Sequence, residues 1–567
     1  MTKLIFYELH NIFSKIRMHA NLFIFIFILG FIKIVTSDPV IKSLVSSVES
    51  GKEIEFSWDN VDKEDVDPKI IFWVRDTYPS FNNHTLSESS WKYLNEQSKY
   101  RPSTTDKNGK FSMTAPKETG LYNIYYCAES ALDGFYCIYQ KQIAVISCLN
   151  GYQKSQSNIE HIIIFISENH SFDSIYGNYC KGETYSNPTC NYGPFCCEAI
   201  PKSLNGVTPI DLTDLANTRF DPCHLKKCEE SEINGGKMDK YVIGGIGSDP
   251  RNFAAAIDDE FSAKWYFNWA RNYAISDRFF QSSAGASSQN DMYFAGGKFF
   301  FEDNEYAPQN KNIPGVKCRE DFISYYDPTI ADLLNTCKVD WTFYGQGLGE
   351  KTTVNDCDDR FFDGTDNPFA YFPSLTDSPT GKHNFRDMEE FYNDIKNGTL
   401  PSVVYLKAIE KYTEHPGNSG GLIIGQMMSE KVIRAIKNSE KYKNNTLVIL
   451  VPDESGGFFD HVTPPPTSTV DGQIYGPRTQ FLVIGEIAKK NYISHVPLEP
   501  SSLIRFIEWN WIGYEGQLYT RDRVVNNIGD LLDSEKAGAE VPSYNRDVSK
   551  LESDNIKYGN KVLKFLE

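Results

Sequence analysis

Two stretches of the sequence end a run of apolar residues in polar side chains that could bind a metal ion. The first, HIIIFISENH, passes from β-branched and aromatic residues into Glu168, Asn169 and His170. The second, NTLVILVPDE, ends in Asp453 and Glu454. A divalent cation would offset the cost of removing several carboxylates from water. Glu168, Asn169, Asp453 and Glu454 are therefore candidate ligands of one ion, which could be calcium, magnesium, manganese or zinc.

Helix capping is the competing interpretation of these residues, because carboxylate, amide and hydroxyl side chains also begin helices. Either stretch alone fits this interpretation as well as it fits a metal site. The two stretches together, with Gly457 allowing a close approach of the backbone, favour the metal site.

A third stretch, SDRFFQSSAGASSQN, supplies a candidate nucleophile. Its small residues lead to Ser287, and a helix is predicted to begin near Asn290. A hydroxyl at the amino end of a helix faces aligned backbone N–H groups, which suit an attacking oxygen or a bound phosphate. Serine is a weak nucleophile, and metal coordination is one way to activate it. Because serines cap many helices, this stretch needs support from the other two.

The elements that must position these residues follow from the pattern after residue 158. The runs HIIIFIS, VDWTFYG, SVVYLK, NTLVILV and TQFLVIG are typical of strands buried on both faces of a parallel sheet. Helical patterns alternate with them, which predicts a doubly wound α/β domain. Ligands of such domains bind beyond the carboxyl ends of the strands, where Glu168 and Asp453 are expected to lie.

Residues 38–147 have a different pattern. Short alternating segments such as EIEFSWDNV and GLYNIYYCA are separated by Gly, Asn, Asp and Ser. This pattern predicts an antiparallel β-sandwich of immunoglobulin-like type. Acid, base and nucleophile are not clustered in it, so we expect a binding or spacer module whose ligand the sequence does not identify. A linker is predicted over 148–157.

The amino terminus predicts an exported protein. The apolar run 22–32 is short for a membrane anchor, which favours a signal peptide over residues 1–37. An uncleaved signal anchor is the alternative. The formal net charge of −18 argues against a nucleic-acid partner.

The twelve cysteines and the glycosylation sequons agree with export. Disulfides such as Cys127–Cys137 are favoured over a zinc site, because paired CxxC motifs are missing. Sequons stand at Asn83, Asn397 and Asn444, and a further one at Asn169 is expected to be buried and unmodified.

Eight stretches, in order along the chain, resemble the phosphoesterase family of non-specific phospholipases C and acid phosphatases. They are ENHSFDSIYG, DPCHLKK, SDRFFQSSAGASSQN, DNPFAYF, TEHPGNSG, VPDESGGFFDHVTPPP, YGPRTQFLVI and RDRVVNN. The resemblance covers residues 158–535 and leaves a polar tail over 536–567. It implies an alkaline-phosphatase-like three-layer α/β/α fold after the β-sandwich, and metal-assisted hydrolysis of a phosphate ester through a phosphorylated Ser or Thr.

The resemblance also implies a role for each matching residue. The four candidate metal ligands match the metal-binding positions of the family. Ser287 matches its nucleophile, and His224 and His415 match histidines around the phosphate that would serve catalysis. Three further residues are expected to contact the substrate: Asn290, Asp366 and His461.

Three positions depart from the usual pattern of the family. Asp366 and Ser455 stand where the family usually has histidine, and Ser288 stands where it often does. Fewer imidazoles would slow protonation of the leaving group, and Asp366 would be able to act as a further metal ligand. The sequence thus predicts a secreted, phospholipase-C-like hydrolase whose lipid substrate would bring it to a membrane surface. An acid phosphatase acting on soluble phosphomonoesters and a catalytically impaired binding protein are the alternatives.

Overall fold

The computed structural model describes eleven segments of the chain. They are residues 40–42, 45–59, 66–74, 91–93, 109–130, 134–149, 154–309, 321–348, 362–377, 383–418 and 420–543. The predicted signal peptide, the sequon at Asn83, Cys318, Cys357 and most of the predicted tail lie outside these segments.

Eight strands form two small sheets at the amino-terminal end. They are β1 (Val40–Lys42), β2 (Ser47–Glu49), β3 (Glu53–Asp59), β4 (Val66–Val74), β5 (Trp91–Tyr93), β6 (Gly109–Thr114), β7 (Gly120–Ser130) and β8 (Gly134–Ile146). One sheet has the order β1-β3-β6 and the other the order β2-β8-β7-β4-β5, and all their pairs are antiparallel except β2 with β8. Alternate side chains of both sheets share one apolar cluster, which includes Phe56, Met113 and Ile124.

The remaining strands build the central sheet and two small pairs. They are β9 (His161–Ser167), β10 (Ile210–Asp211), β11 (Ala254–Ala255), β12 (Ala274–Ser276), β13 (Ala307–Pro308), β14 (Phe322–Ile323), β15 (Trp341–Gly345), β16 (Phe385–Asp387), β17 (Val403–Lys407), β18 (Thr446–Pro452), β19 (Leu482–Ile484) and β20 (Tyr492–Ser494). The central sheet has the order β16-β15-β17-β9-β18-β19-β12-β20. It is parallel except for β19, which runs antiparallel to both of its neighbours. The predicted α/β class is confirmed, with a mostly parallel sheet. The run TQFLVIG, which the sequence predicts to be a parallel strand, instead contains the antiparallel strand β19.

Nine α-helices of the described segments lie between these strands along the chain, and two follow β20. They are α1 (Phe172–Tyr176), α2 (Asp214–Thr218), α3 (Lys226–Ile233), α4 (Lys264–Asn272), α5 (Ser287–Gly296), α6 (Ile330–Thr336), α7 (Pro373–Thr376), α8 (Met388–Asn397), α9 (Gly421–Lys437), α10 (Pro500–Ile507) and α11 (Ser534–Ala537). All ten residues of α5 are buried, so this helix is enclosed by the body of the protein.

Strand β9 is the central element of the site. Its β-branched and aromatic residues are buried on both faces between β17 and β18, as expected for an inner parallel strand. The register pairs Ile166 of β9 with Lys407 on one side and with Val451 on the other. The residues that follow β9, end β17 and follow β18 therefore meet at one edge of the sheet.

The two parts of the chain are joined by packing and by a disulfide. Ser47 Oγ donates a hydrogen bond of 2.8 Å to the Asp332 carbonyl oxygen of α6. Cys148, just after β8, is bonded to Cys337 at the end of α6. The amino-terminal sheets are thus fixed against the α/β part.

All ten described cysteines form disulfides. The pairs are Cys127–Cys137, Cys148–Cys337, Cys180–Cys197, Cys190–Cys196 and Cys223–Cys228. The predicted pair Cys127–Cys137 is confirmed. None of the helices that the structure describes has the length and apolar character needed to span a bilayer.

Candidate active site

Three strand ends bring charged side chains together at the carboxyl edge of the central sheet. Glu168 follows β9, Lys407 ends β17 and Asp453 follows β18. Their side chains are almost fully enclosed. Lys407 Nζ lies 2.8 Å from Glu168 Oε1 and 3.3 Å from Asp453 Oδ2. One buried ammonium is therefore shared by two of the predicted metal ligands.

This ion cluster shifts the proton affinities of its members. Burial lowers the pKa of Lys407, but the surrounding carboxylates outweigh burial and raise that pKa well above its usual value. Burial raises the pKa of Glu168, and Lys407 outweighs it, so the pKa of Glu168 is lowered. For Asp453 burial has the larger effect, and its pKa is raised despite the neighbouring Lys407.

Two more carboxylates surround the same lysine. Asp291 of α5 is fully buried, and its Oδ2 lies 3.6 Å from Lys407 Nζ. Asp366 ends a short 3-10 turn, Gly364–Asp366, and its charge interacts with those of Lys407 and Glu168. The pKa of each carboxyl is raised well above its usual value, chiefly by removal from water. Asp366 thus stands beside the ion cluster, where a further metal ligand was expected.

Ser287 begins α5 at this edge of the sheet. Its side chain is nearly buried, and its Oγ donates a long hydrogen bond of 3.4 Å to Asn169 Oδ1. Asn169 has a left-handed backbone, with φ of 71°. Gly456 packs against it so closely that an added Cβ would lie 2.2 Å from the Asn169 carbonyl oxygen. The predicted nucleophile and one predicted metal ligand are therefore neighbours.

Gly457 makes the close backbone approach that the sequence indicates. Its φ is 68°, and a Cβ there would lie 2.6 Å from the Cys223 carbonyl oxygen. Any side chain at this position would be strained and would collide with the segment that carries His224.

Asn290 holds the turn that precedes Ser287. Its Nδ2 donates to the Gly285 carbonyl oxygen at 2.7 Å, and its Oδ1 accepts from the Ser283 amide at 3.1 Å. Glu229 supports the turn from α3, because its Oε2 accepts from the Gly285 amide at 2.7 Å. The structure therefore places the amide of Asn290 within the turn, although the sequence predicts that it contacts the substrate.

Glu454 points to a second group of charged residues. Its Oε2 accepts a hydrogen bond from the Gly456 amide, whereas its buried Oε1 has no hydrogen-bond partner among the described residues. Burial lowers the pKa of His224, but the charges of Glu454 and Asp221 outweigh burial and raise it to about 10. The neighbouring carboxylates thus favour the protonated form of His224.

His224 and His415 lie together. Their ring centroids are 5.5 Å apart, and the rings are nearly perpendicular. With Asp221 they bring three potential ligand atoms within 4.8 Å of one another. The structure thus brings the two predicted catalytic histidines together at one partly exposed position that could also hold a metal ion.

His461 belongs to a different buried group. Its Nδ1 lies 2.6 Å from Asp173 Oδ2, and Arg478 bonds both Asp173 and Asp460. Asp173, Asp460 and His461 also have ligand atoms within 4.8 Å of one another and could hold a metal ion. Arg478 already pairs with both carboxylates, whereas His461 Nε2 is buried and has no hydrogen-bond partner among the described residues.

The residues at the carboxyl edge fit a divalent cation only in part. Glu454 Oε1 and both carboxylate oxygens of Asp291 are buried and have no hydrogen-bond partner in the described segments. A cation would complete such orphaned oxygens. Glu168 and Asp453, in contrast, already share the Lys407 ammonium.

Lys407, Asp291 and Glu229 contribute to the site and were missed in the sequence. Lys407 ends the apolar run SVVYLK, just as Glu168 and Asp453 follow theirs, so its position at a strand end was the available signal. Asp291 directly follows Asn290, but an acidic residue inside a helix gives no sign of burial. Glu229 offered no signal in its local pattern.

Comparisons with known proteins agree with the motifs. The model of the Phosphoesterase family matches residues 159–512, which is more than half of the chain. A non-hemolytic phospholipase C of Burkholderia pseudomallei is 22% identical over 397 residues, which cover 62% of this chain and 55% of that protein. A non-specific phospholipase C6 of Arabidopsis thaliana is 25% identical over 332 residues, which cover 56% of each chain. The chain thus spans a little over half the length of these relatives.

Proposed function

Because this chain belongs to the phosphoesterase family, we propose that it is a phospholipase-C-like hydrolase of phosphoric esters. The observation that supports this proposal best is the position of Ser287. It starts α5 at the carboxyl edge of the sheet, with Oγ 3.4 Å from Asn169 Oδ1 and beside the cluster around Lys407. Since this cluster holds one ammonium among four carboxylates, a bound divalent cation would be needed to draw a phosphate to the hydroxyl.

In the proposed reaction Ser287 Oγ loses its proton to solvent and attacks the phosphorus atom, and the bond to the leaving oxygen breaks. His224, whose pKa is raised by the neighbouring carboxylates, or the adjacent His415 supplies a proton to that oxygen. Water then hydrolyses the phosphoserine. The amides of Ser288 and Gln289 at the start of α5 already donate within the protein, so side chains would have to offset the negative charge of the transferring group.

A divalent cation is part of the proposal. Asn169, Glu454 and Asp453 would hold it, with Glu168 and Asp366 nearby. When bound, it would withdraw electron density from the phosphate and favour ionisation of a hydroxyl. Lys407 would favour the ionised form of Glu168 and hold the neighbouring carboxyl groups in place when the site binds substrate.

We further propose that residues 158–535 form an alkaline-phosphatase-like three-layer domain. The central sheet and the position of the site at its carboxyl edge support this assignment. Residues 38–147 would form a separate immunoglobulin-like sandwich, supported by the apolar cluster that its two sheets share. The disulfides support export to an oxidising compartment.

One observation favours a second candidate, a catalytically impaired binding protein. Lys407 already occupies the space between Glu168 and Asp453, so the affinity for a metal could be too low for catalysis. This candidate would keep the fold and use the site, or the amino-terminal sheets, to bind a partner.

An assay with three substrates tests these candidates. Purified protein is given phosphatidylcholine, an aryl phosphate or a bis-aryl phosphate, with divalent ions or with EDTA. We expect the protein to hydrolyse phosphatidylcholine and the bis-aryl phosphate, and we expect EDTA to abolish both activities. Hydrolysis of the aryl phosphate alone would instead identify an acid phosphatase, and no turnover with any ion would favour the binding protein.

A further inference from the structure

A loop above the candidate active site holds two isoleucine side chains in solvent. The loop is Ile243-Gly-Gly-Ile-Gly247, in which Ile243 is 64% exposed and Ile246 is 55% exposed. Transfer of an isoleucine side chain from water to an apolar environment is favourable. Single exposed apolar residues are common, whereas this loop exposes two large ones within four positions.

Hydrogen bonds fix the exposed conformation of this loop. The Ile246 amide donates to Ser231 Oγ at 2.9 Å, and the Gly245 amide donates to Ser248 Oγ at 2.7 Å. Asn252 Nδ2 donates to the Gly247 carbonyl oxygen at 3.1 Å. The isoleucines are therefore presented by an ordered backbone.

The loop is attached to the segment that carries His224. Gly247 has φ of 85°, and a Cβ there would lie 2.9 Å from Cys223 Cβ, within the Cys223–Cys228 disulfide. Below the loop, Tyr241 and Val242 pack in a small apolar cluster with Ala284 of the turn before Ser287. A surface that binds this loop would thus be held close to the site.

The charge around the loop differs from that of the whole chain. Residues 226–251 contain five basic and five acidic side chains. Two of the acids, Glu229 and Glu232, are fully buried. Lys226 pairs with Glu302 and Arg251 pairs with Asp249. Three lysines, Lys227, Lys237 and Lys240, then remain against two acids, Glu230 and Asp239. Elsewhere the chain is acidic, with a net charge of −18. Lys237 and Lys240 flank the isoleucines on the chain.

We propose that the loop 243–247 and its flanking lysines dock the protein on an anionic phospholipid surface. The isoleucines enter the interfacial region of the bilayer, and the lysines face the anionic head groups. The role of this docking in catalysis rests on the proposed function, because docking would bring the active site to its lipid substrate. The binding itself does not depend on turnover.

Cosedimentation with vesicles tests the proposal. Full-length protein carrying Ser287→Ala, so that lipid is not consumed, is mixed with vesicles of phosphatidylcholine that contain no or 30% phosphatidylserine. We expect stronger binding to the anionic vesicles, and weaker binding at high salt because salt screens the lysines. Adding Ile243→Ser and Ile246→Ser together should weaken binding about tenfold or more.

Tyr514→Ser is the matched control. Tyr514 is 52% exposed and lies close to residues that precede β9, at the opposite end of the sheet from the site. The Tyr514→Ser variant should bind vesicles as well as the Ser287→Ala parent does. A second variant, Lys237→Glu with Lys240→Glu, should lose binding to the anionic vesicles and so tests the surface independently of the isoleucines.

Three results would overturn the proposal. They are no vesicle binding by the Ser287→Ala parent, full binding by both the isoleucine variant and the lysine variant, or a loss of binding in Tyr514→Ser equal to that in the isoleucine variant. Hydrolysis of the bis-aryl phosphate by unmodified protein is measured separately. An active enzyme that does not bind vesicles would disprove the docking surface alone, and an inactive protein that binds them would disprove the proposed function alone.

Discussion

Lys407 Nζ lies 2.8 Å from Glu168 Oε1, and this contact joins the ends of two neighbouring strands in the centre of the sheet. The same nitrogen lies 3.3 Å from Asp453 Oδ2. A side chain of the protein therefore neutralises part of the negative charge of these two carboxylates, which the sequence predicts to bind a metal ion. A bound cation would share its carboxylates with this lysine.

We predict that Lys407→Met destabilises the protein strongly. The substitution removes the ammonium group that the buried carboxylates of Glu168, Asp453 and Asp291 share. Removal of one partner from a buried ion pair costs about 3–5 kcal/mol. The loss should appear as a lower free energy of unfolding in urea with EDTA. Divalent ions should restore more stability to this variant than to the wild type, because they would replace the missing charge.

Lys443→Met is the control for this experiment. Lys443 pairs with Glu440 at the surface, where such a pair is worth about 0–1 kcal/mol. Equal effects of the two substitutions would show that Lys407 is not the essential counterion of the cluster.

We predict that Ser287→Ala abolishes turnover, whereas Ser288→Ala only reduces it. Ser287 Oγ faces Asn169, whereas Ser288 is more deeply buried and its amide donates to Asn304 Oδ1 at 2.8 Å. Acid quenching during turnover, followed by peptide mass spectrometry, should locate a phosphoserine at Ser287. Full activity of Ser287→Ala would exclude covalent catalysis at this residue and would favour direct attack by water.

We predict that Asp453→Ala removes bound metal and activity while the fold is retained. Glu454→Gln should weaken metal binding as well, because Glu454 Oε1 is a buried oxygen without a hydrogen-bond partner among the described residues. Metal content is measured by mass spectrometry after dialysis, with Asp249→Ala, which loses a surface ion pair, as the control. Full metal occupancy in Asp453→Ala would disprove the assignment.

The strands of the site could be predicted because burial on both faces demands continuous apolar runs. Glu168 and Asp453 were correctly expected at strand ends, and β9 and β18 are indeed neighbours. The order of the strands could not be predicted, because it depends on long-range pairing that leaves no local pattern. For that reason the insertion of Lys407 between the two carboxylates was missed.

Contacts between side chains were harder to predict than the positions of helices and strands. Cys127–Cys137 joins two neighbouring strands and only ten residues separate its cysteines, whereas 189 residues separate Cys148 from Cys337. A pattern of nearby residues can indicate the first pair but not the second. His461 shows the same limit, since its partner Asp173 comes from a distant segment.

We predict that the exported protein carries glycans at Asn397 and Asn444 and none at Asn169. The first two are exposed, whereas Asn169 is fully buried beside Ser287. Glycosidase digestion with Asn397→Gln and Asn444→Gln variants would identify the sites. The mature chain should start near Asp38 and contain no free thiols. A reduced product that keeps residues 1–37 would contradict the predicted signal peptide.

We predict that Glu414 makes stability depend on pH. Burial raises the pKa of its carboxyl to about 8, although the hydroxyl of Tyr266, 2.8 Å from Oε2, acts in the opposite direction. The folded protein thus retains a proton that the unfolded chain releases near pH 4.5. The stability from this proton is fully present below about pH 4.5 and is lost as the pH rises through about 8.

Glu414→Gln should remove this dependence, because its amide stays neutral. Urea unfolding between pH 5 and 9 should show that the wild type loses on the order of 2–4 kcal/mol more than the variant. Other buried acids, such as Glu232 with a pKa raised to about 10, affect both proteins equally, so the difference isolates Glu414. Parallel pH profiles of the two proteins would mean that Glu414 is already ionised in the folded state at pH 5.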